Sequence, residues 1–247
     1  MGMVPIADDD SDITTTSIVN YILLAANIAV FVLFQGLGSN DRFTYAFSTV
    51  PQEIVSGNDV VTPARRVEDP VSGRTFVQPG LQPTPGSVYL TLLTSMFMHG
   101  GLAHIFGNML YLWIFGNNIE HTLGRQRYLL FYLTCGILAS LAHVFATAAT
   151  GGNMFIPSLG ASGAISGVLG GYLLLFPRRN VRMWMGRGIV VMPAWTSLGM
   201  WFLFQLVAGM GMLGEGSQAG GVAYAAHIGG FVAGLVLVKL FAAGRRY

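Results

Sequence analysis

Apolar residues gather in six stretches along the chain, at about 18–36, 97–116, 128–149, 157–176, 189–210 and 221–243. Each runs roughly 18–23 residues, long enough as a helix to cross roughly 30 Å of hydrocarbon. The pattern predicts an all-α membrane protein, a bundle of six transmembrane helices within residues 18–243. Segment 37–90 breaks the rhythm: it is polar, rich in Pro and Gly, and holds five of the eleven acidic residues. A structureless connection of that length is unusual, so this loop between the first and second helices is expected to be partly ordered and packed on the membrane face. Residues 1–17 read as an acidic tail (Asp8, Asp9, Asp10 and Asp12), with no basic region ahead of the first span. That span is therefore expected to be a retained helix rather than a cleaved signal peptide. Residues 244–247 read as a short basic tail.

Composition agrees with the pattern. Asp, Glu, Lys and Arg make up 10% of the 247 residues, against about 25% in an average soluble domain, and mean hydropathy is +0.58. A net charge of +2 from scattered basic residues offers no stripe for a nucleic acid. Cys135 is alone, which excludes an internal disulfide framework and a Cys-rich metal site. Arginine sets the orientation. Arg125 and Arg127 follow the second span, Arg178, Arg179, Arg182 and Arg187 the fourth, and Arg245 and Arg246 the sixth. The connections after the third and fifth carry no Lys or Arg. By the positive-inside rule both termini are cytoplasmic and segment 37–90 faces outward, its own Arg42, Arg65, Arg66 and Arg74 weighing little in so long a loop. Cell-membrane residence is the expectation.

Polar side chains inside spans are costly and so mark candidate chemistry. After Asp69 the only carboxylates are Glu120 and Glu215, both expected at span ends. A buried carboxylate pair, a His-Glu-x-x-His zinc site and a carboxylate proton relay are thereby excluded. What remains is Ser, His and Asn. His104 and Asn108, four apart, share a face of the second span; Ser162 lies in the fourth and His227 in the sixth. Measured from the expected outer ends, Ser162 lies roughly 8 Å deep, His227 roughly 9 Å, His104 roughly 10 Å and Asn108 roughly 16 Å. All four fall in one half of the bilayer. Gly163, Gly167 and Gly171 on the fourth span, and Gly230 and Gly234 on the sixth, form small-residue stripes that let helix backbones pack closely. Ser162 and His227 sit just outward of those stripes, where a histidine can take the serine proton during nucleophilic attack. Asn108, His104 and the Ser162 backbone N–H are candidates to stabilise the oxyanion. With no acid nearby, packing or another partner must orient the histidine.

These residues resemble the rhomboid family of intramembrane serine proteases over residues 90–240. The likeness rests on His104-x-x-x-Asn108, Gly160-Ala161-Ser162-Gly163, and Ala226-His227 followed by Gly230-x-x-x-Gly234, in that order. It implies a rhomboid-like six-helix bundle with Ser162 as nucleophile, His227 as general base, and Asn108 and His104 at the oxyanion. It implies no cofactor, and a substrate that is another protein's transmembrane segment, cleaved near its outer end. Glu120-x-x-x-Gly124 looks like a further, structural element of the family. Two positions depart from the family pattern. Leu90-Thr91 stands where many bacterial members carry Trp-Arg, and Ser166 stands where some place an aromatic residue beside the histidine. Tyr224 is a candidate support for His227 instead.

Other readings compete with catalysis. Ser162 could be interhelical glue, His227 a packed histidine, and the chain an inactive rhomboid-like protein that binds transmembrane clients. His99, His104, His143 and His227 could instead ligate haem or a metal. A solute transporter is disfavoured because the midplane lacks ionisable groups and broken-helix repeats. His99 reads as an interfacial or cavity residue; His121, His143, Asn20 and Asn27 read as structural.

Overall fold

The computed structural model describes residues 4–68, 75–209 and 224–244. Expectations placed on Arg74, Glu215, Arg245 and Arg246, and on the outer start of the last span near residue 221, lie outside the described residues. The protein is a helical membrane protein whose long helices follow the apolar stretches. They are α1 (Ile18–Ala29, continued by a π-helical turn Val30–Phe34), α5 (Leu102–Leu123), α6 (Arg125–Thr150), α7 (Ser162–Leu175), α8 (Ala194–Gly209) and α9 (Tyr224–Phe241). By length and composition, α6 and α9 can each cross a membrane, and a third candidate is the bent pair Val88–Phe97 with α5. The helices Ile18–Phe34 and α7 and the apolar part of α8 are shorter.

Polar and apolar faces are arranged as lipid requires. Leu33, Phe106, Phe145, Leu203, Val236 and Leu240 are exposed, whereas Asn20, Asn27, Asn118, Glu120, Ser166 and Gln205 are buried. Glu120 caps α1: its carboxylate accepts the backbone N–H of Val19 at 3.0 Å and of Asn20 at 2.7 Å. Those donors have no intrahelical partner, and a carboxylate suits the positive end of the helix dipole. Asn20 in turn accepts from the Tyr128 hydroxyl and donates to the Leu112 carbonyl.

The expectation of an all-α fold needs correction, because five short strands are present among the described residues. β1 (Val4–Asp8) pairs antiparallel with β4 (Asn180–Trp184), which pairs with β5 (Ile189–Pro193); β2 (Arg65–Glu68) pairs with β3 (Thr75–Gln78). The acidic N-terminus is thus partly a docked strand rather than a tail. Pro5 is buried, and Asp8 accepts from Asn118 Nδ2 at 2.7 Å and the Tyr172 hydroxyl at 2.8 Å. The expected start of the fifth span at 189 is strand because the β-branched run Ile189-Val190-Val191 favours extended backbone. α8 begins only at Ala194. The expected second span also shifts, from 97–116 to the helix at 102–123. Met98 is extended, and the chain turns by 80° between Phe97 and Leu102.

Segment 37–90 contains β2, β3, α2 (Asp41–Ala46) and α3 (Pro51–Ser56). It is tied to the helices through main chain and hydroxyls. Thr49 and Ser158 exchange backbone hydrogen bonds, the Thr94 hydroxyl donates to the Phe47 carbonyl, and the Thr49 hydroxyl lies 2.8 Å from the Thr91 carbonyl oxygen. The short helix α4 (Thr91–Thr94) therefore anchors the segment without a Trp-Arg pair. Gln35 clamps the chain just ahead of α5 by donating to the His99 carbonyl and accepting its N–H.

Candidate active site

Two closely apposed helices set the site. A Cβ on Gly234 of α9 would stand 1.9 Å from the Gly167 carbonyl oxygen of α7, and one on Gly230 would stand 2.1 Å from that of Gly163. Only glycine allows this approach. Gly163 and Gly167 also face Ala139 and Cys135 of α6, so α7 is wedged between two neighbours. The stripe fixes the relative height of the α7 N-terminus, where Ser162 is the first helical residue, and of His227 in the first turn of α9.

Ser162 Oγ and His227 Nε2 lie 2.8 Å apart. Ser162 sits at a helix start because Pro157 and Gly160 hold the preceding chain out of the helix, Gly160 at φ +126°. The expected depth of Ser162, counted as helix from residue 157, therefore does not apply. The same glycine keeps space open. A methyl group there would lie 2.8 Å from His104 Nε2 and 3.6 Å from Ser162 Oγ. His104 Nδ1 accepts the Gly100 N–H at 3.3 Å, which leaves Nε2 as the ring's N–H donor, directed to the Gly160 side. Asn108 is buried, and its amide nitrogen has no partner among the described residues. His104, Asn108, Ser162, Trp201, Gln205 and His227 all line one cavity of about 720 Å³.

All four polar residues singled out from sequence thus border one cavity. The other residues named from sequence lie around this group or away from it. Ser166 donates its hydroxyl to the Ser162 carbonyl at 2.6 Å. Tyr224 meets His227 edge-on, with ring centroids 6.5 Å apart. His99 is fully buried beside His104, ring centroids 5.2 Å apart, and His121 contacts Thr15. Among the described residues no three His, Cys, Asp or Glu side chains gather as a metal centre requires. Gln205 went unnoticed in sequence. Its Oε1 lies 2.7 Å from His227 Nδ1, and the available signal was a lone amide in the apolar run 201–207.

A polytopic helical protein with a half-buried Ser–His pair at the mouth of two glycine-packed helices is the class that fold and site define. The comparisons identify it further. The family model for the rhomboid domain matches residues 86–244, so the chain belongs to the rhomboid family. It is 31% identical over 216 residues to Rhomboid protein 1, mitochondrial, of Saccharomyces cerevisiae, covering 87% of this chain and 51% of that protein. It is 36% identical over 160 residues to Rhomboid protease GluP of Bacillus subtilis, covering 63% and 28%. To the human Presenilin-associated rhomboid-like protein, mitochondrial, it is 33% identical over 105 residues, covering 42% and 26%. The chain spans about half the length of the yeast relative and less of the other two.

Proposed function

We propose that this rhomboid-family protein is an intramembrane serine endopeptidase that hydrolyses a peptide bond in or near the transmembrane segment of another membrane protein. The 2.8 Å hydrogen bond between Ser162 Oγ and His227 Nε2 carries the reading. His227 takes the serine proton as Oγ bonds to the scissile carbonyl carbon. The oxyanion is met by the unpaired Asn108 amide, by His104 Nε2–H, and by the Ser162 N–H, which as the first of α7 lacks an intrahelical partner. Collapse breaks the C–N bond, and His227 gives its proton to the leaving amine. Water then loses a proton to His227 and attacks the acyl carbon, and the C–Oγ bond breaks as Ser162 regains its proton. The chemistry needs no metal or cofactor.

In this reading the six apolar helices within 18–243 all lie in the bilayer and form one protease domain. Segment 37–90 is its outer loop, and residues 1–17 and 244–247 flank the domain on the cytoplasmic side. The Arg-rich connections face the same side, and the cavity opens outward. Residence in the cell membrane follows from that asymmetry. A mitochondrial membrane is the second reading, favoured by the names of the yeast and human relatives, and fractionation of tagged cells separates the two.

The test is cleavage of a single-span substrate in liposomes by the wild type, Ser162→Ala and His227→Ala. Each variant should lose about a thousandfold or more in rate, and a fluorophosphonate should label the wild type only. Continued cutting by Ser162→Ala would overturn the reading. An inert wild type would favour a client-binding protein.

A further inference from the structure

Among the described residues each ring nitrogen of His227 has one partner: Ser162 Oγ at Nε2, and Gln205 Oε1 at Nδ1. Gln205 is buried on α8 within the otherwise apolar run Trp201-Phe202-Leu203-Phe204-Gln205-Leu206-Val207. An amide so placed is costly unless it is paired, and the partner it meets is His227. Trp201, four residues earlier and so on the same face of α8, lies beside the same imidazole with ring centroids 6.1 Å apart. One helix thus presents both a polar and an aromatic contact to a single ring on another helix.

We propose that Gln205 is a positioning residue of the reaction, the third member of a Ser162–His227–Gln205 triad. The proposal rests on the protease reading above. The carbonyl oxygen of an amide only accepts, so Nδ1 must carry the ring proton. Nε2 is then left with a free lone pair facing the Ser162 hydroxyl. A base that began with its proton on Nε2 could not take another from serine. Setting the tautomer is the task an aspartate performs in the familiar triad. Here a neutral amide performs it, which suits a chain whose spans hold almost no carboxylates. The imidazolium formed during attack is stabilised by the oriented dipole of the amide beside it. Because Gln205 is carried by α8 while Ser162 and His227 are carried by α7 and α9, the base is fully set only when α8 is seated against α9.

The experiment compares wild type, Gln205→Met and Gln205→Glu in liposomes, with Ser162→Ala as reference. Methionine keeps the length and bulk but removes the acceptor; glutamate keeps only an acceptor. A general base contributes roughly 10²–10⁴ in rate, and a misassigned tautomer forfeits part of it. Gln205→Met should therefore lose about 10- to 100-fold in kcat with little change in KM, and should label more slowly with fluorophosphonate. Gln205→Glu should stay within about threefold of the wild type. Nitrogen-15 NMR of histidine-labelled protein should show His227 protonated at Nδ1 in the wild type. Wild-type kcat in Gln205→Met, equal loss in both variants, or a wild-type His227 protonated at Nε2 would each overturn the proposal. The NMR outcome stands even where Gln205→Met fails to fold. Cleavage that survives Ser162→Ala would instead sink the protease reading, so the two failures are distinguishable.

Discussion

Gly234 and Gly167 touch backbone to backbone, the Cα of one against the carbonyl of the other: a Cβ at 234 would stand 1.9 Å from the Gly167 oxygen. Overlap with a carbonyl cannot be relieved by a rotamer change, so even one methyl must push α9 away from α7. The same two helices carry His227 and Ser162. Gly234→Ala is expected to destabilise the protein by about 1–3 kcal/mol and to reduce cleavage well beyond the fraction unfolded. Thermal melting in detergent, with initial rates measured at a temperature where the variant remains folded, checks both effects.

A second glycine is constrained by conformation and by site volume together. Gly160 holds φ at +126°, a value that side-chain-bearing residues rarely adopt, and its open face separates His104 Nε2 from Ser162 Oγ. An added methyl would occupy space that the proposed oxyanion needs. Gly160→Ala is expected to abolish measurable cleavage while Ser162 and His227 are intact. Failure of a peptide-aldehyde inhibitor to protect the variant from thermal unfolding, when it protects the wild type, would place the defect at the oxyanion position.

Glu120 offers a prediction about stability alone. Its carboxylate caps the two backbone donors of α1 across the helix interface, far in sequence from its partners. Glu120→Ala leaves those buried N–H groups unpaired and is expected to cost about 1–3 kcal/mol. Glu120→Gln, which keeps one acceptor, should recover part of the loss. Denaturation in mixed micelles measures the difference, and kcat of the folded fraction should be unchanged in both variants.

The parts of the site that were legible in sequence depend on intervals within a helix. His104 and Asn108, or Gly230 and Gly234, declare a shared face by their spacing of four. Ser162 and His227 were marked by the glycine stripes beside them, not by depth, because the helix holding Ser162 starts later than its apolar stretch and the outer start of the last span lies outside the described residues. What escaped depends on pairing between distant segments. Nothing in Val4–Asp8 announces that it will meet Asn180–Trp184, since both are short and the alternation of the second has no counterpart in the first. The reach of Gln205 to His227 was hidden for the same reason. Gln205 is a single polar residue with no periodic partner of its own kind, and its meaning lies in a different helix.

The N-terminal strand gives a pH dependence with a definite sign. Burial against α5 and α7 pushes the Asp8 carboxyl up to about 6 from an ordinary 3.8, more than the Tyr172 hydroxyl and Arg179 pull it down. Asp8 therefore binds its proton more tightly when β1 is docked than when it is free. Docking is strongest below about pH 4, weakens as pH rises towards 6, and levels off above that value, because only in this window do the two states differ in protons bound. Nearby Asp9 runs the other way, held down by the Ser11 hydroxyl and N–H, but it is fully exposed and contributes little. Amide exchange in Ala7 and Asp8, corrected for its intrinsic pH dependence, should show greater protection at pH 5 than at pH 7.5. Asp8→Asn, neutral at every pH and still able to accept from Asn118 and Tyr172, should flatten the difference at the protected level. Protection that instead rises with pH in the wild type would overturn burial of Asp8 as the source of the strand's pH dependence.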